Sequence, residues 1–427
     1  MPSLSSFISS NQYSKENLAI PFVAAMKVGS TYTAPVFNGV NNATSVDPGG
    51  LFGWLIYSRG NSAFGPVKGL TSDQFIVYTN PSDLVQDLNK LSGITNCLLA
   101  PASGFTYAFF IDKGTPKLEY TRNGEDFLNA ISYMAYGGTL VLTGSVAGFN
   151  SYLGANSGNL IDCVIDPYIS SDIATWVAGQ EYAVGFFPSI RESASGVTGN
   201  GYTMANFTAL GVSNVAGSTQ GVKFFNLYGL KTNTLNVELL KSDATINYTI
   251  PAVSDVGGFF ARAKNRNEQY LTIAGLDRAT VLNGSITNPI EWSGNLKNYL
   301  RSNKVNFFVN YIPKFLGSDL VGATAATGPI TVNDRIGPAR LRSEIINSVN
   351  TVAFKYIFEI NNQTTRDQVV SEVQTALDTY ASYLDTTATQ IICNETNNPD
   401  ASQLKIDLVV KPLLGTDSFV VNFTYTQ

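Results

Sequence analysis

The sequence contains no histidine, and this absence excludes several kinds of chemistry. Without imidazole there is no Ser-His-Asp or Cys-His catalysis, no His-ligated zinc and no histidine pH switch. Carboxylate, lysine and oxygen-ligated metal chemistry remain open, but the sequence shows no converging set of carboxylates or metal ligands. We therefore predict that the protein is not an enzyme and has no catalytic residues, metal site or cofactor.

Cysteine and charged residues are also scarce. The cysteines Cys97, Cys163 and Cys393 are odd in number and far apart, which favours buried free thiols in a reducing compartment over a disulfide framework. Charged residues make up 14% of the 427 residues, against roughly 25% in ordinary soluble proteins. Such a surface suits a protein that buries its exterior against copies of itself, and it suits equally a secreted or viral β-rich protein. The net charge of −5 provides no overall basic field for nucleic acid.

Long apolar runs are missing as well. No run reaches the ~18 apolar residues of a transmembrane helix, and residues 1–20 lack the basic region and apolar core of a signal peptide. Taken alone, this polar, serine-rich stretch predicts a disordered terminus. The length of the chain predicts two or three domains.

Strand-like and helix-like segments alternate between residues 21 and 250, which predicts a layered α/β region. The glycine pair Gly137-Gly138 follows a helical pattern and predicts a helix C-cap. Asp162 and Asp166 flank a predicted strand, and we interpret them as strand-end caps, with an acid–base carboxylate pair as the alternative. The predicted elements are strands at 19–27, 31–36, 74–77, 105–111, 117–120, 139–143, 159–165 and 182–188, and helices after Pro81, after Asn123 and at 171–179.

Two amphipathic helices are predicted towards the C-terminus, each from one apolar stripe at helical spacing. The first helix runs from about residue 338 to 357. The second begins at Thr365, where Thr365 and Gln368 have the spacing of a capping box. The stripes consist of Leu341, Ile345, Val349, Val352 and Tyr356 in the first helix, and of Val369, Val373, Leu377, Tyr380 and Leu384 in the second.

The last 40 residues or so contain three short segments with strand patterning, at 391–393, 404–410 and 419–425. The final strand runs almost to the last residue. An unpaired strand edge is a template for another chain, so this strand either lies in its own sheet or adds to the sheet of a neighbouring subunit. The alternating apolar residues are Leu404, Ile406 and Leu408 in the second segment, and Phe419, Val421, Phe423 and Tyr425 in the third.

These C-terminal motifs resemble those of the contractile bacteriophage tail sheath protein family. Residues 358–361 (FEIN) resemble the "FEPN" turn of the family, with its proline replaced, and residues 393–399 (CNETNNP) resemble "CDETNNP". Residues 251–262 (PAVSDVGGFFAR) resemble the segment "PPSGxVAGVYAR" that precedes the C-terminal domain of the family. The resemblance covers residues 250–427 well and residues 21–250 loosely.

The resemblance implies a structural subunit that polymerises helically around a tail tube and contracts to drive that tube through the host envelope. Its expected partners are many copies of itself, the tail tube protein, and the baseplate and tail terminator proteins, with no direct nucleic-acid contact and no membrane insertion. The expected location is the virion tail, after assembly in the host cytoplasm. A static viral shell or coat protein with exchanged arms is the alternative, and an enzyme or glycan-binding tail component is a third hypothesis.

The expected fold is a multidomain one, with α/β and α+β regions. It consists of an N-terminal arm (1–20), a layered α/β sheath domain and variable region (21–250), a C-terminal α+β domain with two amphipathic helices and antiparallel strands (251–403), and C-terminal strands and arm (404–427). The extended terminal arms would link subunits through Phe7, Ile8, Leu18, Ile20, Leu404, Ile406, Leu408, Phe419, Val421, Phe423 and Tyr425. The basic residues on or beside the first amphipathic helix are either a solvated face or a surface facing the tube; they are Arg335, Arg340, Arg342 and Lys355.

Overall fold

The computed structural model describes residues 22–28, 73–84, 97–99, 108–112, 115–119, 122–156, 160–168, 170–180, 182–188, 224–239, 242–282, 284–291, 295–302, 304–309, 315–316, 320–321, 334–399 and 404–413. The described strands are β1 (Val23–Lys27), β2 (Phe75–Tyr78), β3 (Cys97–Leu99), β4 (Ala108–Asp112), β5 (Thr115–Glu119), β6 (Thr139–Thr143), β7 (Cys163–Ile165), β8 (Val184–Pro188), β9 (Phe224–Tyr228), β10 (Leu230–Leu239), β11 (Ser242–Pro251), β12 (Ser285–Ile286), β13 (Val305–Val309), β14 (Phe315–Leu316), β15 (Gln390–Ile392) and β16 (Asp407–Val409). The described helices are α1 (Arg122–Met134), α2 (Val146–Ala155), α3 (Ser171–Gly179), α4 (Val253–Asn265), α5 (Gly275–Arg278), α6 (Asn295–Ser302), α7 (Ile336–Phe354) and α8 (Gln363–Asp378).

An eight-stranded sheet forms the centre of the structure, in the order β14-β13-β9-β8-β7-β1-β6-β2. The six strands from β13 to β6 run parallel, and β2 and β14 pair antiparallel at the two edges. Strands β6, β8 and β13 are buried at every position. Continuous burial is typical of parallel strands that are covered on both faces, and the strands predicted at 139–143 and 182–188 are of this kind.

Helices cover both faces of this sheet. Neighbouring residues of each strand point to opposite sides, so one strand contributes to two separate cores. On one face, Ala24 and Met26 of β1 belong to a core with α1 and α4, which includes Tyr133 and Phe260. On the other face, Val23 and Ala25 belong to a core with α2 and α3, which includes Phe149, Tyr152, Trp176 and Val177. The region is therefore layered α/β, as the sequence predicts.

The sheet contains strands from both sides of the predicted domain boundary at residues 250/251. Strand β13 pairs parallel with β9, and α4 packs against β7 and β8. The boundary consequently does not separate two cores: the segment after residue 250 supplies both a covering helix and an inner strand of the sheet.

A long antiparallel hairpin, β10–β11, extends from the sheet region and was not among the predicted elements. Its base is held by a buried ion pair, in which Lys231 Nζ lies 2.8 Å from Asp255 Oδ2 of α4 and also donates to Ser132 Oγ at 2.8 Å. Both charged side chains are almost fully buried. A buried charge is tolerated only when it is paired and hydrogen-bonded, and this pair ties the base of the hairpin to α4 and α1.

Two amphipathic helices and a two-stranded sheet form the C-terminal layer. The predicted stripes of α7 and α8 are buried or half-buried and pack together in one core. The predicted start of α8 is wrong by three residues, because the N-cap is Asn362, whose Oδ1 accepts from Thr365 N at 2.9 Å. Asparagine is preferred over threonine at the N-cap, so Asn362 takes this position although Thr365 and Gln368 have the spacing of a capping box.

The predicted C-cap after α1 is confirmed at Gly137, which has a φ of +83° and donates to Met134 O at 3.0 Å.

A glycine in α4 allows close contact with the residue that follows α1 by two positions. Gly258 lies against the ring of Tyr136, and a Cβ at position 258 would lie 2.1 Å from the Cδ2 atom of that ring. The ring cannot easily move, since the Tyr136 hydroxyl donates to Asp255 Oδ1 and accepts from Leu282 N.

We expect Gly258→Ala to destabilise the protein by about 1–3 kcal/mol, as overpacking of a buried contact does. The matched control is Gly154→Ala near the end of α2, where an added Cβ meets nothing within 4 Å. That change should be neutral or stabilise by up to about 1 kcal/mol, because alanine is the better helix former. Urea denaturation measures both variants, and equal midpoints would contradict the packing argument.

Candidate subunit-linking site

The C-terminal hairpin pairs β15 with β16 in antiparallel register, with Ile391 opposite Leu408. Its inner side packs on the α7–α8 core through Leu404, Ile406, Leu408 and Val410. The predicted alternation of 404–410 is thus confirmed, and Val409 on the outer side is 53% exposed. Beyond this hairpin, a separate antiparallel bridge joins Leu384 to Pro412.

Asparagine side chains of the NETNNP turn brace the two strands. Asn397 Nδ2 donates to Ile392 O at 2.7 Å, at the end of β15. Asn398 Nδ2 donates to Lys405 O at 3.0 Å, and Asn398 Oδ1 accepts from Lys405 N. The side-chain amide of Asn398 therefore makes the two hydrogen bonds to Lys405 that a paired strand would make through its backbone. These bonds hold the turn to the residues that precede β16.

Arg366 joins the two motifs that carry the family resemblance. Its guanidinium donates to Asn361 Oδ1 of the FEIN turn at 2.9 Å and lies 3.4 Å from Glu395 Oε1 of the NETNNP turn. The Arg366 side chain is only 6% exposed. Arg366 was not among the predicted site residues; in the sequence it is marked only as an arginine near the start of an amphipathic helix.

The long edges of the hairpin are open in the described part of the chain, where β15 and β16 pair only with each other. Open edges offer rows of backbone N–H and C=O groups to a further strand. Among the predicted linking residues, the structure brings together Leu404, Ile406 and Leu408 on the inner side. The predicted arm residues Phe7, Ile8, Leu18, Ile20, Phe419, Val421, Phe423 and Tyr425 lie outside the described residues.

Two of the four basic residues predicted to face a tube are buried, and this part of the prediction is corrected. Arg340 is 4% exposed, and its Nη2 lies 2.8 Å from Asp162 Oδ1. The Arg340 guanidinium also lies 4.8 Å from the ring centroid of Phe22, a favourable cation–π geometry. Arg335 is 6% exposed at the start of α7. The Arg340 side chain faces the protein interior because the Asp162 carboxylate and the rings of Phe22 and Phe260 surround its guanidinium there.

The other two basic residues remain at the surface. Arg342 is exposed on α7. Lys355 is exposed but paired, with its Nζ 2.7 Å from Glu372 Oε2, and this contact lowers the pKa of Glu372. Tyr356 donates to Glu372 Oε1 at 3.0 Å; partial burial and that bond raise the pKa of Tyr356 to about 12. Arg342 is therefore the stronger candidate for an exposed basic contact.

The strand-end interpretation of the two aspartates fits their contacts. Asp162 Oδ2 accepts from Val23 N at 2.8 Å, and Asp166 accepts from the backbone N atoms of Tyr168 and Ser170. Burial raises the pKa of Asp166, and its accepted hydrogen bonds oppose that rise. Cys163 and Cys393 are buried free thiols, as predicted. Among the described residues, no group of three metal-ligating side chains occurs, and no helix is long and apolar enough to cross a membrane.

Comparison with known proteins points to one group. No family model matches the chain. The chain is 23% identical over 398 residues to the tail sheath protein of Vibrio phage KVP40, covering 84% of this chain and 54% of the relative. It is 24% identical over 187 residues to the tail sheath protein of Enterobacteria phage T4, covering 42% of this chain and 28% of the relative. The resemblance to tail sheath proteins is confirmed.

The fold agrees with this resemblance. The PVC sheath complex of an extracellular contractile injection system, in its contracted state, aligns over 94% of this chain and 91% of that chain, with a TM-score of 0.57 and 12% identity. The mixed α/β sheath-like fold is thus shared at low sequence identity. The chain spans about half the length of its KVP40 relative and less than a third of its T4 relative.

We expect Arg340→Met to destabilise this sheath-like fold by about 3–5 kcal/mol, because it leaves the buried Asp162 carboxylate short of its nearest cation. Arg342→Met is the matched control on the same helix, and an exposed change of this kind should stay within about 0.5 kcal/mol. Urea denaturation followed by circular dichroism measures both. Equal stability of the two variants would mean that the Asp162–Arg340 pair does not hold α7.

Proposed function

We propose that this chain is a structural subunit of a contractile phage tail sheath, which polymerises helically around a tail tube and contracts to drive the tube through the host envelope. The observation that carries the proposal is sequence similarity to a named tail sheath protein over 84% of the chain. The sheath-like fold supports it. Contraction would then be a mechanical property of the assembly, with no enzymatic step in this subunit.

Strand exchange is the proposed link between subunits. An arm of one copy would add a strand to an open edge of the β15–β16 hairpin of another copy, which is β-augmentation. Each backbone hydrogen bond so formed contributes a net ~0.5–1.5 kcal/mol. The Asn397 and Asn398 contacts support this role, because they hold the two strands in place while the outer edges stay open among the residues that the structure describes.

The linked lattice would then have two packings of the subunit bodies. Flexible arms keep neighbours bonded while the globular faces exchange contacts, and the stored energy is the difference between the two arrangements, a bistable interface. The proposed partners are further copies of the chain, the tail tube protein, and the baseplate and tail terminator proteins. The proposed location is the virion tail, following assembly in the host cytoplasm.

We expect removal of residues 1–20, or of residues 419–427, to leave a folded and soluble monomer that forms no tubes. The physical reason is that each truncation removes one donated strand and its backbone hydrogen bonds. Electron microscopy scores tubes, and circular dichroism with size-exclusion chromatography checks the fold against the full chain. Normal tubes from both truncations would contradict strand exchange.

The diameter of tubes formed by the full chain distinguishes a sheath from a static shell. Tubes of two diameters support a sheath, whereas a single diameter under all conditions supports a static shell.

We also propose that the exposed side of α7 carrying Arg342 faces the tube. Arg342→Glu should weaken co-sedimentation of sheath with tube at low salt, because exposed charge contacts act within about a Debye length of 8–10 Å. Raising the salt concentration should narrow the difference between variant and parent. The control is Arg266→Glu, the same charge change at an exposed arginine after α4. An equal loss of tube binding in both variants would contradict a specific contact between Arg342 and the tube.

A further inference from the structure

The last residue of α7 and the turn that follows it expose four large apolar side chains within seven residues. Phe354 is 42% exposed, Ile357 46%, Phe358 102% and Ile360 75%. We call these four residues the apolar tip. Single exposed apolar side chains are ordinary, but a contiguous cluster marks an interaction surface. Here the cluster includes the most exposed large apolar side chain among the described residues.

The shape of the apolar tip is built by the chain rather than left loose. Phe358 has a φ of +73°, a left-handed conformation that is unfavourable for a bulky residue. Glu359 N donates to Tyr356 O and Asn362 N donates to Ile360 O, at 3.2 and 2.9 Å, on either side of this residue. Strained backbone that surrounding bonds enforce tends to occur at functional positions. At Phe358 this backbone conformation carries an aromatic ring that is fully exposed to solvent.

Charges near the apolar tip are acidic or neutralised. Lys355 is the basic residue within the turn, and it is paired with Glu372, while Glu359 is exposed. A surface for phosphate groups or anionic lipid needs unpaired cations beside the apolar residues. The apolar tip therefore fits an uncharged apolar socket on a protein.

We infer that the apolar tip docks on a second copy of this chain, in a contact separate from strand exchange. The inference rests on the proposed function, in which each subunit is surrounded by copies of itself. The chain also exposes apolar side chains elsewhere, at Leu276 and Leu282 around α5 and at Val409 and Leu413 on the hairpin. A tip on one element and a receiving surface on another form a heterologous contact, which extends into rings or helical filaments.

Site-specific photo-crosslinking in assembled particles tests this contact. A benzophenone amino acid replaces Phe358, and the control carries it at Gln374, an exposed position on α8. After irradiation we expect a species of twice the chain mass from position 358 and far less from position 374, with peptides of two chain copies joined in it. Adducts with the tube protein, with lipid or within one chain, or no adduct at all, would overturn the inference.

A second measurement does not depend on the crosslinker. The double variant Phe358→Ser, Ile360→Ser should melt like the parent, because both side chains are exposed, yet raise the critical concentration for tube formation about tenfold. An unchanged critical concentration would overturn the inference. If the parent chain forms no tubes, the proposed function itself fails; if it forms tubes of two diameters without a Phe358 crosslink, only the docking of the apolar tip fails.

Discussion

The buried carboxylate of Asp162 joins the central sheet to α7, the first helix of the C-terminal layer. It accepts from Val23 N at the start of β1, lies 2.8 Å from Arg340 of α7 and 3.7 Å from Lys264 of α4. A buried ion pair gives little net stability but is costly to break on one side. The cluster therefore sets where α7 sits on the sheet. Burial raises the pKa of Glu344, one turn further along α7, and the nearby Asp162 adds to that rise.

This arrangement places a rigid support behind the hairpin. Helix α7 is tied to the sheet through Arg340, α8 packs on α7, and β15–β16 lies on the shared core. Arg366 and the asparagines of the NETNNP turn then hold the hairpin against the start of α8. An acceptor for an added strand benefits from such support, because a fixed edge loses less entropy when the strand binds.

Local patterns predicted much of the C-terminal layer. The stripes of α7 and α8 and the alternation of Leu404, Ile406 and Leu408 are short-range features that burial on one side imposes. The start of α8 was predicted at Thr365, because Thr365 and Gln368 have the spacing of a capping box. The actual N-cap is Asn362, three residues earlier, and both residue types are common at this position. The β10–β11 hairpin was not predicted, although it pairs over its full length. Its base makes a buried contact between Lys231 and Asp255, which are 24 residues apart, so no short pattern indicates it.

The sequence by itself determined the absence of imidazole chemistry, the layered α/β character, the two amphipathic helices and the sheath-like motifs. These depend on composition and on residues that are neighbours along the chain. Only the tertiary structure decided that Arg340 is an interior residue while Arg342 is exposed, and that Arg366 joins two turns. The physical reason is distance along the chain: Arg340 and Asp162 are 178 residues apart, and a charge is buried or exposed according to the partner that folding brings to it.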